Sequence, residues 1–138
     1  MRGDSREEGK RWLDQAKEDL KWAKELAERG GYYLACFLSQ QIAEKALKAF
    51  LYFSGEEIIL THSVQRLTQL PSRYDPIFWD RKGRYAIVDT FYLTTRYPNA
   101  LPGTIPAHAF DKETALRAIS MADEITTLVD RLIKELAL

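Results

Sequence analysis

The chain has 138 residues, of which 46% are hydrophobic and 29% are charged, which fits one domain with a substantial core. Twenty basic residues balance twenty acidic ones, so a net charge of zero excludes a general electrostatic attraction to nucleic acid or anionic membranes. One cysteine, Cys36, excludes an internal disulfide, and no apolar run approaches the roughly 18 residues of a membrane span. With no apolar signal segment at the N-terminus, we expect a cytoplasmic protein.

Helical periodicity dominates the chain, and no segment shows the alternation that is typical of a strand. The expected long helices cover about residues 5–29, 32–53, 75–95 and 111–136, and a short helix covers about 61–70. Each is bounded by a capping residue, a glycine or a proline. The sequence therefore predicts an all-α fold, a five-helix up-and-down antiparallel bundle in a single domain over residues 1–138.

Polar residues at the predicted helix starts set these boundaries. Ser5 opens a capping box in the first helix, and Thr61 is the expected N-cap of the short helix. Asp75 is followed by a proline at the first helical position, and Asp111 caps the last helix. Gly83 is a weak point inside the fourth long helix, where we expect a kink or fraying.

The second helix is apolar on one broad arc, but its other arc mixes polar and apolar side chains. Glu44, Lys45 and Lys48 share this second arc with Leu51. Two interpretations stay open. Either the bundle surrounds this helix on several sides, or the mixed arc is a surface for a dimer or a partner.

The stretch from Tyr92 to His108 concentrates reactive side chains where the fourth helix should end. Tyr92 and Arg96 are one turn apart and share a face. Arg96 either stabilises the carbonyls at the helix end or binds phosphate, for which its planar guanidinium is suited. If the loop after Pro98 folds back, Arg96 and His108 supply the minimum for metal-free RNA cleavage, a charge stabiliser and a proton-transfer group.

Other reactive residues have simpler interpretations. The two histidines and one cysteine lack the spacing of metal ligands, and no glycine loop suits a phosphate, so the sequence predicts neither a metal nor a cofactor. Cys36 falls on or beside the apolar side of the second helix and is interpreted as a core residue rather than a nucleophile. His62, at the start of the short helix, is either a surface residue or a catalytic one.

Three segments occur in a characteristic order: YLACFLSQQIAEKALKA at 33–49, THSV at 61–64 and YLTTRYP at 92–98. Together they resemble the HEPN domain family (higher eukaryotes and prokaryotes nucleotide-binding), and in particular its small stand-alone prokaryotic members. The resemblance implies a helical domain that is often a homodimer and has a minimal nucleotidyltransferase of the MNT type as partner. Many such pairs are toxin and antitoxin, with the HEPN protein acting as a ribonuclease.

Two hypotheses of function follow, and a structural bundle with no site is the third. The first is a homodimeric nucleotide-binding or nucleotidyltransferase-partner module. Its candidate binding residues are Glu44, Lys45, His62, Tyr92, Arg96, Tyr97 and Asn99. The alternative is a metal-independent ribonuclease toxin that uses Arg96 and His108. In the toxins of the family an Arg-x4–6-His motif supplies catalysis, whereas here His108 follows Arg96 by 12 positions.

Overall fold

A computed structural model describes residues 2–138, and helices are the only regular secondary structure in that range. The α-helices are α1 (Arg2–Glu28), α2 (Tyr32–Phe53), α3 (Val64–Gln69), α4 (Ile77–Tyr85), α5 (Phe91–Thr94), α6 (Pro106–Ala109) and α7 (Lys112–Ala137). Short 3₁₀ helices cover Pro71–Arg73, Ala86–Thr90 and Pro98–Ala100. The predicted all-α bundle is confirmed. No described helix is long and apolar enough to cross a membrane, and no described side chains group as metal ligands.

The three long helices α1, α2 and α7 pack against one another and form most of the core. The stripe predicted for α1 is buried along its whole length: Leu13, Ala16, Leu20, Ala23 and Ala27. Most of the α7 stripe is buried too, with Ile125 and Val129 fully enclosed, although Leu136 at its end is half exposed. Because apolar side chains recur every three to four residues, each helix presents one continuous apolar face to its neighbours.

Helix α2 lies at the centre of the bundle and contacts α1, α7, α3, α5 and α6. Much of its mixed arc is therefore buried: Leu51 is fully enclosed, and Glu44 and Lys48 are only 5% and 4% exposed. For these three residues, the bundle itself surrounds the helix. Cys36 is also fully buried, and this burial, with a smaller contribution from the charge of Asp111, raises the pKa of its thiol to about 12. That environment fits a core residue.

The prediction of one continuous helix over 75–95 was wrong. Helix α4 ends at Tyr85, a 3₁₀ segment follows over Ala86–Thr90, and α5 is a single turn. Gly83 lies inside α4 rather than at the break. The 3₁₀ segment contains two β-branched residues before Asp89, whose carboxylate accepts hydrogen bonds from the start of α3. Low helix propensity and this long-range contact together explain why the regular helix stops.

Two predicted N-caps were also wrong. Ser5 lies inside α1, which begins three residues earlier, and its hydroxyl donates a hydrogen bond to the carbonyl of Tyr52 at the end of α2. Ser63 rather than Thr61 caps α3, because the Ser63 hydroxyl accepts from the amide of Arg66. In both cases the hydroxyl side chain serves a contact that the local sequence pattern does not specify.

The loop between α5 and α7 is ordered by two short helical segments. The 3₁₀ turn Pro98–Ala100 begins immediately after Tyr97, whose backbone is extended as expected for a residue before proline. Helix α6 then packs against α2. Asp111 caps α7 as predicted, with its carboxylate accepting from the amide of Thr114 at 2.8 Å. Hydrogen bonds from Thr114 hold the pKa of the Asp111 carboxyl below its usual value.

Candidate nucleotide-binding site

Side chains from α2, from the segment before α3 and from the end of α5 meet in one place. We call this group the Arg96 cluster, and its members are Phe37, Glu44, His62, Tyr92, Arg96 and Tyr97. Residues that lie up to sixty positions apart in the chain thus converge because α2 runs through the centre of the bundle. The cluster contains one residue or more from each of three short sequence segments.

Arg96 lies among three aromatic rings. Its guanidinium carbon is 4.3 Å from the centre of the Tyr92 ring, 5.1 Å from that of Tyr97 and 5.5 Å from that of Phe37. Its Nε donates a hydrogen bond to the Tyr92 carbonyl at 2.8 Å, which fixes the plane of the side chain. Within residues 2–138, Arg96 forms no ion pair with a carboxylate. The four N–H donors on its terminal nitrogens are therefore not used by an acidic side chain.

His62 is held on two sides. Its Nδ1 lies 3.2 Å from Oε1 of Glu44, and its ring stacks on Tyr92 with centroids 6.0 Å apart and planes 15° from parallel. The side chain is nevertheless 59% exposed, because both contacts use one edge and one face. The carbonyl of His62 also accepts a hydrogen bond from the side-chain amide of Gln40. The imidazole is therefore oriented, and its Nε2 has no hydrogen-bond partner within the described part of the chain.

Glu44 joins the cluster to a buried ion pair. Its second oxygen, Oε2, lies 3.2 Å from Nζ of Lys48, and the two side chains are only 6% and 5% exposed. The Lys48 ammonium in turn lies 5.3 Å from the centre of the Trp12 ring. The Glu44 charge is thus matched by an adjacent cation. An anion that approaches Arg96 does not meet an uncompensated carboxylate there.

Asp89 is a residue of this region that sequence analysis missed. Its carboxylate accepts hydrogen bonds from the amides of Val64 at 2.8 Å and Gln65 at 3.0 Å, and from the hydroxyl of Ser63. These three contacts fix the start of α3 and so the position of His62 immediately before it. No local signal marks Asp89, because its partners are about 25 residues away and the helix around it was expected to be continuous.

Three predicted site residues lie apart from the cluster. Lys45 faces α1, where it forms an ion pair with Asp19. Asn99 is exposed in the 3₁₀ turn after Tyr97, and His108 is exposed on α6. Among the hydrogen bonds, ion pairs and ring contacts of residues 2–138, none connects Lys45, Asn99 or His108 with Arg96. The structure thus brings together Glu44, His62, Tyr92, Arg96 and Tyr97 from the predicted set.

Comparisons with known proteins agree with this arrangement. The family model of the HEPN domain matches residues 10–132. The crystal structure of TT1696 from Thermus thermophilus is 31% identical, with a TM-score of 0.77 over 89% of this chain and 96% of that one. The structure of ST0689, an archaeal HEPN homologue, is 33% identical, with a TM-score of 0.70 over 91% and 97%. No curated protein matches the chain. The chain belongs to the HEPN domain family.

Proposed function

We propose that this protein is a nucleotide-binding module that acts as a homodimer and holds a phosphate group of its ligand at the Arg96 cluster. The observation that carries the proposal is the state of Arg96. Its guanidinium is fixed by three rings and one carbonyl but is paired with no described carboxylate. A guanidinium presents two parallel N–H donors, which match two oxygens of a phosphate.

The aromatic members of the cluster suit the base of a nucleotide. Tyr97 is 48% exposed, and it follows Arg96 directly. Nucleobases stack on exposed aromatic rings, and such stacking tolerates different bases. A ligand held by its phosphate at Arg96 would therefore find an aromatic face beside it.

Replacing Arg96 is expected to weaken nucleotide binding. Arg96→Ala should raise the Kd for ATP and for a short single-stranded RNA about tenfold, because a charge-assisted bidentate contact is lost. Arg96→Lys should fall between the alanine variant and the wild type, since it keeps the charge but not the fork. The measurement is isothermal titration calorimetry at about 50 and 200 mM salt, where weaker binding at high salt indicates phosphate contacts.

Arg117→Ala is the matched control for this experiment. Arg117 is 79% exposed and pairs with Glu113 on the surface of α7, so its removal should leave the affinity unchanged. Equal affinity of the wild type, Arg96→Ala and Arg117→Ala for both ligands would refute phosphate binding at the cluster.

The proposal includes a protein partner of the kind implied by the family resemblance, a minimal nucleotidyltransferase in a toxin–antitoxin pair. Tyr97 supports this part, because its half-exposed ring lies beside the arginine that would hold the nucleotide. An enzyme that transfers nucleotidyl groups to hydroxyls would find the Tyr97 hydroxyl the most accessible acceptor in the cluster. Tyr92, which lies between His62 and Arg96, is less exposed.

The pairing of Glu44 with His62 favours a second candidate function, metal-free RNA cleavage. A carboxylate on Nδ1 orients an imidazole for proton transfer at Nε2. His62 and Arg96 both contact the Tyr92 ring, at 6.0 and 4.3 Å from its centre, so they lie within 10.3 Å of each other, the sum of these two distances. In such a reaction, the histidine removes the proton of the ribose 2′-hydroxyl, whose oxygen then attacks phosphorus and displaces the 5′-oxygen. The arginine stabilises the charge that develops on phosphorus.

This second function predicts a specific order among three variants in cleavage of mixed RNA in EDTA. Arg96→Ala and His62→Ala should each reduce cleavage at least about a hundredfold, because general acid–base catalysis and charge stabilisation each supply about that factor. His108→Ala distinguishes the two histidines: a loss equal to that of Arg96→Ala would support the Arg96–His108 pair instead. Absence of cleavage by pure wild-type protein would leave nucleotide binding as the function.

A further inference from the structure

The segment between α2 and α3 carries backbone groups that have no backbone partner. Residues 56–62 run without a helix, turn or bend. Within residues 57–61, no amide or carbonyl forms a hydrogen bond with another backbone group of the described chain. Both ends of the segment are anchored, since the Glu56 amide donates to Leu51 and the His62 carbonyl accepts from Gln40. The segment is thus fixed at its ends and unpaired along its middle.

The side chains of this segment alternate as they do in a half-buried strand. Ile58 and Leu60 are 76% and 84% exposed, whereas Ile59 between them packs against the core. Alternation with a period of two is the side-chain pattern of an extended strand. An extended strand with free amides and carbonyls is the surface to which another strand adds.

We propose that this segment pairs with the same segment of a second copy of the chain, in antiparallel orientation about Ile59. The proposal rests on the homodimer of the proposed function and gives that homodimer its contact surface. In this register, Ile58 lies opposite Leu60 of the second copy, so the four exposed aliphatic side chains of the pair cover one another. Residues 57–61 of each copy also gain backbone hydrogen-bond partners.

Charge complementarity selects both the occupant and the direction. The segment is acidic at its start, with Glu56 and Glu57, and ends at His62. In the antiparallel register, Glu56 of one copy lies opposite His62 of the other, a pairing of a carboxylate with a group that carries positive charge when protonated. A parallel register would instead place carboxylates opposite carboxylates. The net charge of zero also means that two copies do not repel each other as a whole.

Light scattering coupled to size-exclusion chromatography tests the surface. The wild type is expected at twice the chain mass of 15.9 kDa, and the double variant Ile58→Lys/Leu60→Lys at the single chain mass. Leu116→Lys, at a half-exposed leucine on α7, is the matched control and should stay dimeric. A double variant that remains dimeric overturns this surface but not the homodimer, whereas a monomeric wild type overturns both. Neither outcome affects nucleotide binding by Arg96, which is measured separately.

Cysteine cross-linking tests the register. Ile58→Cys/Leu60→Cys should form disulfide-linked dimers on mild oxidation, because residues 58 and 60 of the two copies lie directly opposite. Each single variant places its two cysteines at diagonal positions and should cross-link far less. The only native cysteine, Cys36, is fully buried and does not interfere. Equal cross-linking of the single and double variants would overturn the antiparallel register about Ile59.

Discussion

Glu44→Gln is expected to lower the free energy of unfolding by about 3 kcal/mol, because it leaves the charge of Lys48 buried without a partner. The two side chains are only 6% and 5% exposed, and their oxygen and nitrogen lie 3.2 Å apart. Water therefore cannot replace the lost carboxylate. In a chain of this length the expected decrease in Tm is about 10 °C, which differential scanning calorimetry would measure.

An exposed pair of the same kind provides the control. Glu25 and Arg29 are also one turn apart, but their side chains are 44% and 77% exposed. Glu25→Gln should therefore change the free energy of unfolding by less than about 1 kcal/mol. The double variant Glu44→Leu/Lys48→Met should recover most of the stability, since it removes both buried charges together. If Glu44→Gln and Glu25→Gln have the same small effect, the buried pair does not contribute as described.

The long helices were predictable because their information is local. In α1 and α7 the apolar residues recur every three to four positions, and a single cap such as Asp111 marks where the pattern begins. The segment from 75 to 95 was not predictable in the same way. Its break depends on Asp89, which bonds to backbone amides of α3 and so responds to a contact distant in sequence. A window of neighbouring residues contains no sign of such a contact.

The candidate site was predictable as a set of residues but not as an arrangement. The sequence pointed to Glu44, His62 and Arg96, yet it placed Glu44 and Lys45 together on one polar arc. Adjacent residues of a helix point about 100° apart. Because α2 is surrounded by other helices, this difference sends Glu44 into the cluster and Lys45 to Asp19 on α1. Which of two neighbours reaches a site depends on packing around the helix.

Gly9→Ala is expected to destabilise the protein by about 2 kcal/mol, although alanine is the better helix former by about 1 kcal/mol. Gly9 lies inside α1 where this helix crosses α2. An added Cβ would be 2.7 Å from the carbonyl oxygen of Ala49 and 2.8 Å from the backbone nitrogen of Phe53. Because both atoms belong to the backbone of α2, relief requires the helices to move apart. Chemical denaturation followed by circular dichroism would measure the change.

Gly83→Ala separates close packing from helix propensity. Gly83 also lies inside a helix, α4, but a Cβ added there would meet no atom within 4 Å. The same substitution should therefore stabilise the protein by about 0.5 to 1 kcal/mol, through helix propensity alone. Opposite signs at the two glycines would establish that α1 and α2 touch at Gly9. A stabilising effect at both would show that α1 does not approach α2 so closely, and the position of α2 relative to α1 would then need revision.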